Sequence, residues 1–555
     1  MIGARAAALA AGLIASAICH GGNPPAADHA SGFFAAPFTL KLSAPDPDAE
    51  IRYTLDGSRP NPTNGTAYRQ PIPVQSTTVL RAAVFGKEVA PFEALARTFL
   101  FTRQVPHQTG GPLPPAWGGT PDHPARAWYG MVPTANALGT EELEPALHAL
   151  PSLSVLADPA DLFGAEAGLY THPRERGRSW ERPIVVEWLD PGNAAARQMT
   201  CGLRIHGGTS RDPEESPKHS FRLVFRHRYG AEKAGLPGFS APGAPRTRDL
   251  VLRAGNNDSW LAADGPSRRE ADYLRDEWGR RTLADMGYPS AAGCFVHLYL
   301  NGLYWGLYNL CERPEESLFA APGTDNVDYD LRKGDQIESG DNAAWDRLAG
   351  QLAHLADGHA TFEAIAQALD TTQFADYLLL NLYGGNADWD RSANWVAYRP
   401  RLPGGRFRFL VWDAEGMLRS PDADITHLTD EESPMGWFHA LCGSSEFRRL
   451  VGERAQRLFA PGGPLSPDAT ARRYRELARA VRPAIPAEAA RWGAYRRDVH
   501  PYRTGPFEAF SREKDWDPRV ERVLRSFFPG RNQIVMGQLD ALGLVTAPAP
   551  PARQP

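Results

Sequence analysis

At 555 residues the chain exceeds what one compact core supports, and its length points to about three folding units. Hydrophobic residues make up 42% and charged residues 23%, near globular averages, so most of the chain is expected to fold. A formal charge of -5 argues against a general nucleic-acid or anionic-membrane binder, because both need a basic surface. The cations are lopsided: six lysines stand against 54 arginines. That gives weight to any lysine inside a motif, since arginine does not always replace a compact ammonium.

The first residues carry the pattern of an export signal over 1–17. Arg5 is followed by the apolar stretch 6–14 and the small residues Ala15-Ser16-Ala17. The alternative, a docked N-terminal helix, fits poorly with the polar Pro- and Gly-rich run that follows. Cys19 would suit a lipid anchor, but Ile18 is large for the position before it. No later stretch reaches the roughly 18 uninterrupted apolar residues of a spanning helix. The expected location is therefore secreted, periplasmic or at the cell surface, with no transmembrane segment. The five cysteines form no Cys-x-x-Cys pair and are too few for a disulfide scaffold. Cys294 and Cys311 flank an expected hairpin, where a bridge and two buried thiols both remain open.

Residues 31–102 alternate in strand fashion ("FTLKLSA", "EIRYTLDG", "TVLRAAVFG", "ARTFLF"), with Asp56-Gly57 as a turn signal. Short strands at this spacing predict an all-β sandwich of immunoglobulin type. The run "IRYTLDGSRPNPTNGTAYRQPIPV" followed by "TTVLRAAVF" resembles the small module at the C-terminus of chitobiases and β-hexosaminidases. The resemblance implies a spacer or binding module with possible carbohydrate contact, and does not imply sugar hydrolysis. Residues 103–150, rich in Pro, Gly and His, read as a linker or an extended wrap. A mixed α+β region spans 151–462, a helical extension 463–544, and a polar, Pro-rich tail 545–555 reads as disordered.

Within 185–420 the elements follow a definite order. "PIVVEWL" and "CGLRIHG" read as strands, "GGTSRDPEESP" as a loop, and "KHSFRLVF", which begins at Lys218, and "DLVLRAG" as further strands. "SRREADYLRDEWGRRTLADMG" reads as one amphipathic helix with Ala271, Leu274, Trp278 and Thr282 on one face, closed by Gly287. Asn301-Gly302 centres a hairpin. "TTQFADYLLLNLY" is a helix leading into "GGNADWDRSANW", and a second hairpin, "WVAYR" and "FRFLVW", ends at Asp413.

A lysine strand, a helix and strands, then a helix, an acidic loop with a downstream Asn and a hairpin ending in Asp, is the order of parts in protein kinases. There the loop Asp accepts the substrate hydroxyl proton, and the Asn and final Asp hold magnesium. The blocks "GLRIHGGTSRDPEESPKHSFRLVF", "YLRDEW…LADMGYPSA…FVHLYLNGLYWGLYNLCERPEE", "NADWDRSANWVAYR" and "FRFLVWDAE" resemble, in order and spacing, the spore-coat protein H (CotH) family of atypical kinases. This resemblance implies ATP and Mg2+ as cofactors and an exported or cell-surface protein as phosphate acceptor. Carried onto this sequence, it implies Asp388 as the catalytic acid–base group and Asn394 and Asp413 as metal ligands. It also implies Lys218, Arg275 and Glu312 as nucleotide-binding residues. Asp390 competes with Asp388, because Asp388 to Asn394 is six positions against the five of protein kinases. Three other readings stay open at this point: a surface or adhesion protein that only binds, another ATP-driven protein modification, and a carbohydrate-active enzyme using Asp388, Asp390, Asp413 and Glu415.

Overall fold

In a computed structural model, the alternating runs between 150 and 312 close on themselves. The structure describes residues 24–545 except 45–48, 86–94, 120–123, 132–139, 231–234, 238–246, 320–326, 390–392, 430–432, 502–503 and 506. The leader-like residues 1–17 and all but the first residue of the tail lie outside these. No helix among the described residues is long and apolar enough to cross a membrane.

Seven strands form a closed barrel in the order Ser152–Leu156, Arg182–Asp190, Asn193–His206, Ser220–Val224, Asp249–Arg253, Leu303–Glu312 and Gly293–Leu300. Every pairing is antiparallel except the closure of Gly293–Leu300 onto Ser152–Leu156, which is parallel. The period of two puts Ile205, Phe221, Leu252 and Leu310 in one interior row, and the fully buried Leu203, Leu223 and Leu250 in the next. Alternate residues such as Arg204 and Arg222 therefore face outward. The hairpin turns at Asn301 (φ 46°) and Gly302 (φ 80°), the left-handed pair that a tight two-residue turn requires. Its register sets Cys311 opposite Gly293 and Cys294 opposite Leu310, so the two thiols point to opposite faces and both are free.

The second body is a four-stranded sheet, Gln336–Ser339, Tyr329–Lys333, Trp395–Pro400 and Arg408–Val411, backed by helices. Thr371–Gly384, Ser445–Phe459, Pro467–Val481 and Phe528–Ala541 share one apolar core with Arg275–Asp285. The single helix expected over 267–287 is two, Gly265–Arg269 and Arg275–Asp285. Between them the Asp258 carboxylate accepts from the Asp272 N–H at 2.7 Å and Asp272 from the Leu274 N–H at 3.0 Å. These side-chain acceptors compete with the helical ladder, and Tyr273 turns to φ 66°. The expected face is nonetheless buried, with Ala271, Leu274, Trp278 and Thr282 all inside.

The N-terminal module is a β-sandwich. A five-stranded sheet runs Gly32–Phe33, Leu95–Leu100, Thr78–Phe85, Glu50–Thr54, Thr66–Ala67, and Phe38–Leu40 pairs with Ile72–Val74 across from it. It begins before residue 31, because Ala26–Ala27 pairs with Leu42–Ser43. Val79 and Ala96 bury against Leu156 and Val185 of the barrel, and Ser31 Oγ donates to Glu187 at 2.7 Å.

Of the two readings of 103–150, linker or wrap, the described residues take the wrap: Trp117 is fully buried, its indole donating to Tyr129 Oη at 2.8 Å, and helix Thr140–Leu147 packs on the barrel. The helical stretch after 462 is not an appendage. Trp492 donates to the Trp305 carbonyl at 2.7 Å, and Arg496 to those of Leu261 and Glu215.

Candidate active site

The acidic loop is held by its neighbours. Helix Thr371–Gly384 starts at Asp370, whose side chain accepts from the Gln373 N–H at 3.2 Å, and stops at Gly385 with φ 61°. Thirteen of its residues are buried, so the loop that follows leaves from a fixed point. Trp389 is fully buried and meets the Tyr377 ring edge-on at 5.5 Å, which pins the chain one residue past Asp388. Asn394 closes the loop: its amide nitrogen donates to the Asp388 carbonyl at 2.6 Å and to Asp388 Oδ2 at 3.2 Å.

The hairpin Trp395–Pro400/Arg408–Val411 then returns the chain to the same place. A Cβ on Gly416 would lie 2.7 Å from Asn386 Oδ1 and 3.4 Å from the Asp388 Cβ, so only glycine lets the segment after the hairpin approach this closely. Asn394 and Asp413 both sit in the left-handed region, at φ 67° and 63°. Such positions cost of order 1 kcal/mol each and gather where the backbone aims a side chain. Asp388, Asn394, Asp413 and Glu415 thus line one cleft of about 510 Å³. Asp390 lies outside the described residues.

Arg253 organises the acidic floor. It donates to Asp413 Oδ1 at 2.5 Å and to Glu415 Oε1 at 3.0 Å, and its Nε lies 3.1 Å from Asp276 Oδ2. Glu415 also accepts from the Asn257 N–H at 2.6 Å. Burial pushes the Glu415 carboxyl up to about 7, with Arg253 opposing and the Asp413 charge adding to the rise. Asp413 keeps more than a third of its side chain exposed to the cleft.

The facing wall is basic. Arg176, Arg222, Arg313 and Lys333 line it together with His206 and the Gly207–Arg211 turn. Arg222 pairs with Asp249 and Arg313 with Glu338, whereas the Lys333 ammonium has no ion-pair partner among the described residues and lies 5.8 Å from the centre of the Trp412 ring. Burial lowers the Lys333 ammonium, and the Asp413 charge opposes that shift. His206 is held well below its usual value by burial and then by Lys333, Arg313, Arg253 and Arg222, so it faces the cleft uncharged. Arg211 is spent on structure, donating to the Gly207 carbonyl at 2.8 Å and to that of Ile205.

Three of the sequence candidates are elsewhere. Lys218 is 1% exposed; its ammonium donates to Glu488 Oε1 at 2.7 Å and to the Leu307 carbonyl at 2.6 Å, between barrel and C-terminal helices. A phosphate cannot reach it without breaking that pair. Arg275 is fully enclosed, donating to the Glu415 carbonyl at 3.1 Å beside Asp258 and Asp272. It braces the acidic segment from behind. Glu312 accepts from Thr247 Oγ1 at 2.6 Å and the Ala292 N–H at 3.0 Å, a strand-end clasp outside the cleft. The lysine that does face the cleft, Lys333, had one signal in the sequence: it is one of only six.

Among the described residues no three carboxylate, imidazole or thiolate groups converge as a metal cage. An ion here would rest on the Asp413 carboxylate, the Asn394 amide oxygen and oxygens of its ligand. That sparse hard-oxygen set is one magnesium accepts and zinc does not favour.

Comparison with known families gives two matches. Residues 203–535 match the family described as CotH kinase protein, and residues 29–92 match the chitobiase/beta-hexosaminidase C-terminal domain. The first runs through the C-terminal helices, in keeping with their packing into the barrel. No curated protein matches the chain.

Proposed function

Because this chain belongs to the CotH kinase protein family, we propose that its cleft binds a magnesium nucleoside triphosphate such as ATP and transfers the terminal phosphoryl group to a protein hydroxyl. The barrel then serves as the nucleotide-covering lobe of a kinase-like pair, and the sheet with its helices as the other. The observation that carries this reading is the convergence of Asp388, Asn394 and Asp413 on one cleft, opposite a wall of cations.

Phosphoryl transfer asks for charge neutralisation and placement more than for covalent chemistry. Lys333, Arg222 and Arg313 would meet the phosphate oxygens. Asp413 with Asn394 would hold Mg2+, which when bound neutralises charge on those oxygens. Asp388 would accept the proton of the acceptor hydroxyl as its oxygen bonds to phosphorus and the phosphoanhydride P–O bond breaks. Asn394 orients Asp388 through the 3.2 Å contact, and Arg253 orients Asp413. The leader-like residues 1–17 support action outside the cytoplasm, on an exported or cell-surface partner or on the protein itself.

The test is ligand-induced stabilisation of the full chain by ATP with and without magnesium, since a ligand that binds only the folded state raises the unfolding midpoint by mass action. A magnesium-dependent rise supports the proposal. No rise with any nucleotide removes it.

A further inference from the structure

Away from the cleft, the sandwich and the barrel enclose a second cavity of about 500 Å³, within the range of small-ligand sites. One wall is residues 28–34 of the sandwich, and the other is the end of strand Arg182–Asp190 with the turn that follows it. Buried hydrogen bonds set the spacing of these walls. Ser31, which lines the cavity, accepts from the Thr98 N–H at 3.1 Å and donates to Glu187 of the barrel at 2.7 Å. Beside it, Thr98 Oγ1 meets Ser154 Oγ at 2.8 Å.

The lining is divided in character. Phe33, Phe34 and Leu189 supply an apolar floor, and both phenyl rings are only partly buried. Phe34 is backed by Phe38 at 4.6 Å and met edge-on by Phe99 at 5.5 Å, so its ring is held where it borders the cavity. Asp28, His29 and Asp190 supply a polar rim. Each carboxylate has one oxygen fixed by backbone: Asp28 Oδ1 accepts from the Lys41 N–H and Asp190 Oδ1 from the Gly192 N–H, both at 2.9 Å. The second oxygen of each is thereby aimed as an acceptor. His29 stacks on Phe38 at 4.3 Å with Nδ1 2.7 Å from Asp28 Oδ1, which leaves Nε2 for a ligand.

This combination selects a ligand class. Two carboxylates and no lysine or arginine among the described lining residues disfavour an anion. A wholly apolar ligand would strip water from both carboxylates without replacing its hydrogen bonds. A ring with one apolar face and hydroxyls around its edge satisfies both halves: C–H groups lie against a phenyl ring and O–H groups donate to the carboxylates. We propose that this cavity binds a neutral saccharide and so tethers the protein to a glycan. It shares no lining residue with the cleft and stands independently of the transferase reading.

Isothermal titration of the full chain with maltotriose, cellotriose and N-acetylchitotriose tests this, with the glucosamine trimer as a cationic counterpart. We expect at least one neutral trisaccharide to bind at about 1 mM or tighter. Phe34→Ala should weaken it roughly threefold to tenfold through the lost ring. Asp190→Asn should weaken it about fivefold or more, because a charge-assisted acceptor becomes a neutral one. Asp190 lies on the partly exposed rim, so this variant keeps the test intact should Phe34→Ala fail to fold, and its magnesium-nucleotide affinity should match wild type. Absence of binding by every neutral trisaccharide at about 10 mM overturns the proposal, as does binding that Asp190→Asn leaves unchanged. Binding of the glucosamine trimer more than about tenfold tighter than its N-acetylated form also overturns it, since the carboxylates would then be reading a cation.

Discussion

Replacing Lys218 by methionine separates a structural lysine from a phosphate-gripping one. The ammonium is 1% exposed and its partner Glu488 is fully buried; it donates at 2.7 Å to that carboxylate and at 2.6 Å to the Leu307 carbonyl. The other carboxylate oxygen accepts from the Leu307 N–H at 2.7 Å, so the pair clamps one barrel residue to helix Ile485–Glu488. Taking away one partner strands a charge in a medium that solvates it poorly, which costs about 3–5 kcal/mol. Adding Glu488→Gln removes the stranded charge yet keeps an acceptor for Leu307, and should recover about half of that loss. Urea unfolding followed by circular dichroism reads both variants, and nucleotide affinity is measured well below the unfolding midpoint. The account predicts large destabilisation, partial rescue, and affinity within about threefold of wild type in whatever fraction folds. An unchanged unfolding curve together with lost magnesium-nucleotide binding would refute it and return Lys218 to the phosphate.

Asp413→Ala should abolish magnesium-dependent nucleotide binding and leave the fold intact, checked by calorimetric titration with and without the metal. Removing its charge also takes a repulsion from Glu415, so the Glu415 carboxyl should titrate below about 7, readable by carbon-13 NMR. Glu187, 1% exposed where the sandwich meets the barrel, is raised from 4.5 to about 7 by burial, with Ser31 and Arg97 opposing. The folded state therefore holds that proton more tightly than the unfolded one. Its stabilisation is fully present below pH 4.5 and is lost as pH rises to about 7, an effect of at most ~3 kcal/mol. Glu187→Gln should flatten that part of the stability–pH curve. Trp117→Ala should cost about 3–5 kcal/mol, a core value that a free linker residue could not give.

Local signals were legible in the sequence and distant partners were not. The Asn301-Gly302 hairpin, the helix Thr371–Gly384 and the hairpin before Asp413 follow from turn chemistry and periodicity, which act over a few residues. They sufficed to bring Asp388, Asn394 and Asp413 to one cleft. Lys218 was misplaced because its role is set by Glu488, 270 positions away, and no spacing rule reaches that far. Closure of the barrel depends likewise on the parallel pairing of residues 152–155 with 297–300. The split at Tyr273 went unseen because Asp258 and Asp272 look like ordinary surface acids until tertiary contacts bury them. Trp117 was hidden by its Pro- and Gly-rich surroundings, whose composition matches a linker although one large ring is enough to anchor them.

Label transfer from γ-labelled ATP, comparing wild type with Asp388→Asn in the presence of magnesium, tests the central claim most directly. The loop Asp acts on the acceptor proton and not on the donor, so its loss should affect turnover far more than affinity. The account predicts that wild type labels an acceptor or itself, while Asp388→Asn binds nucleotide normally and loses at least about a hundredfold in transfer, in line with the worth of a positioned general base. Transfer by Asp388→Asn at the wild-type rate, or none by wild type that binds nucleotide, would contradict it.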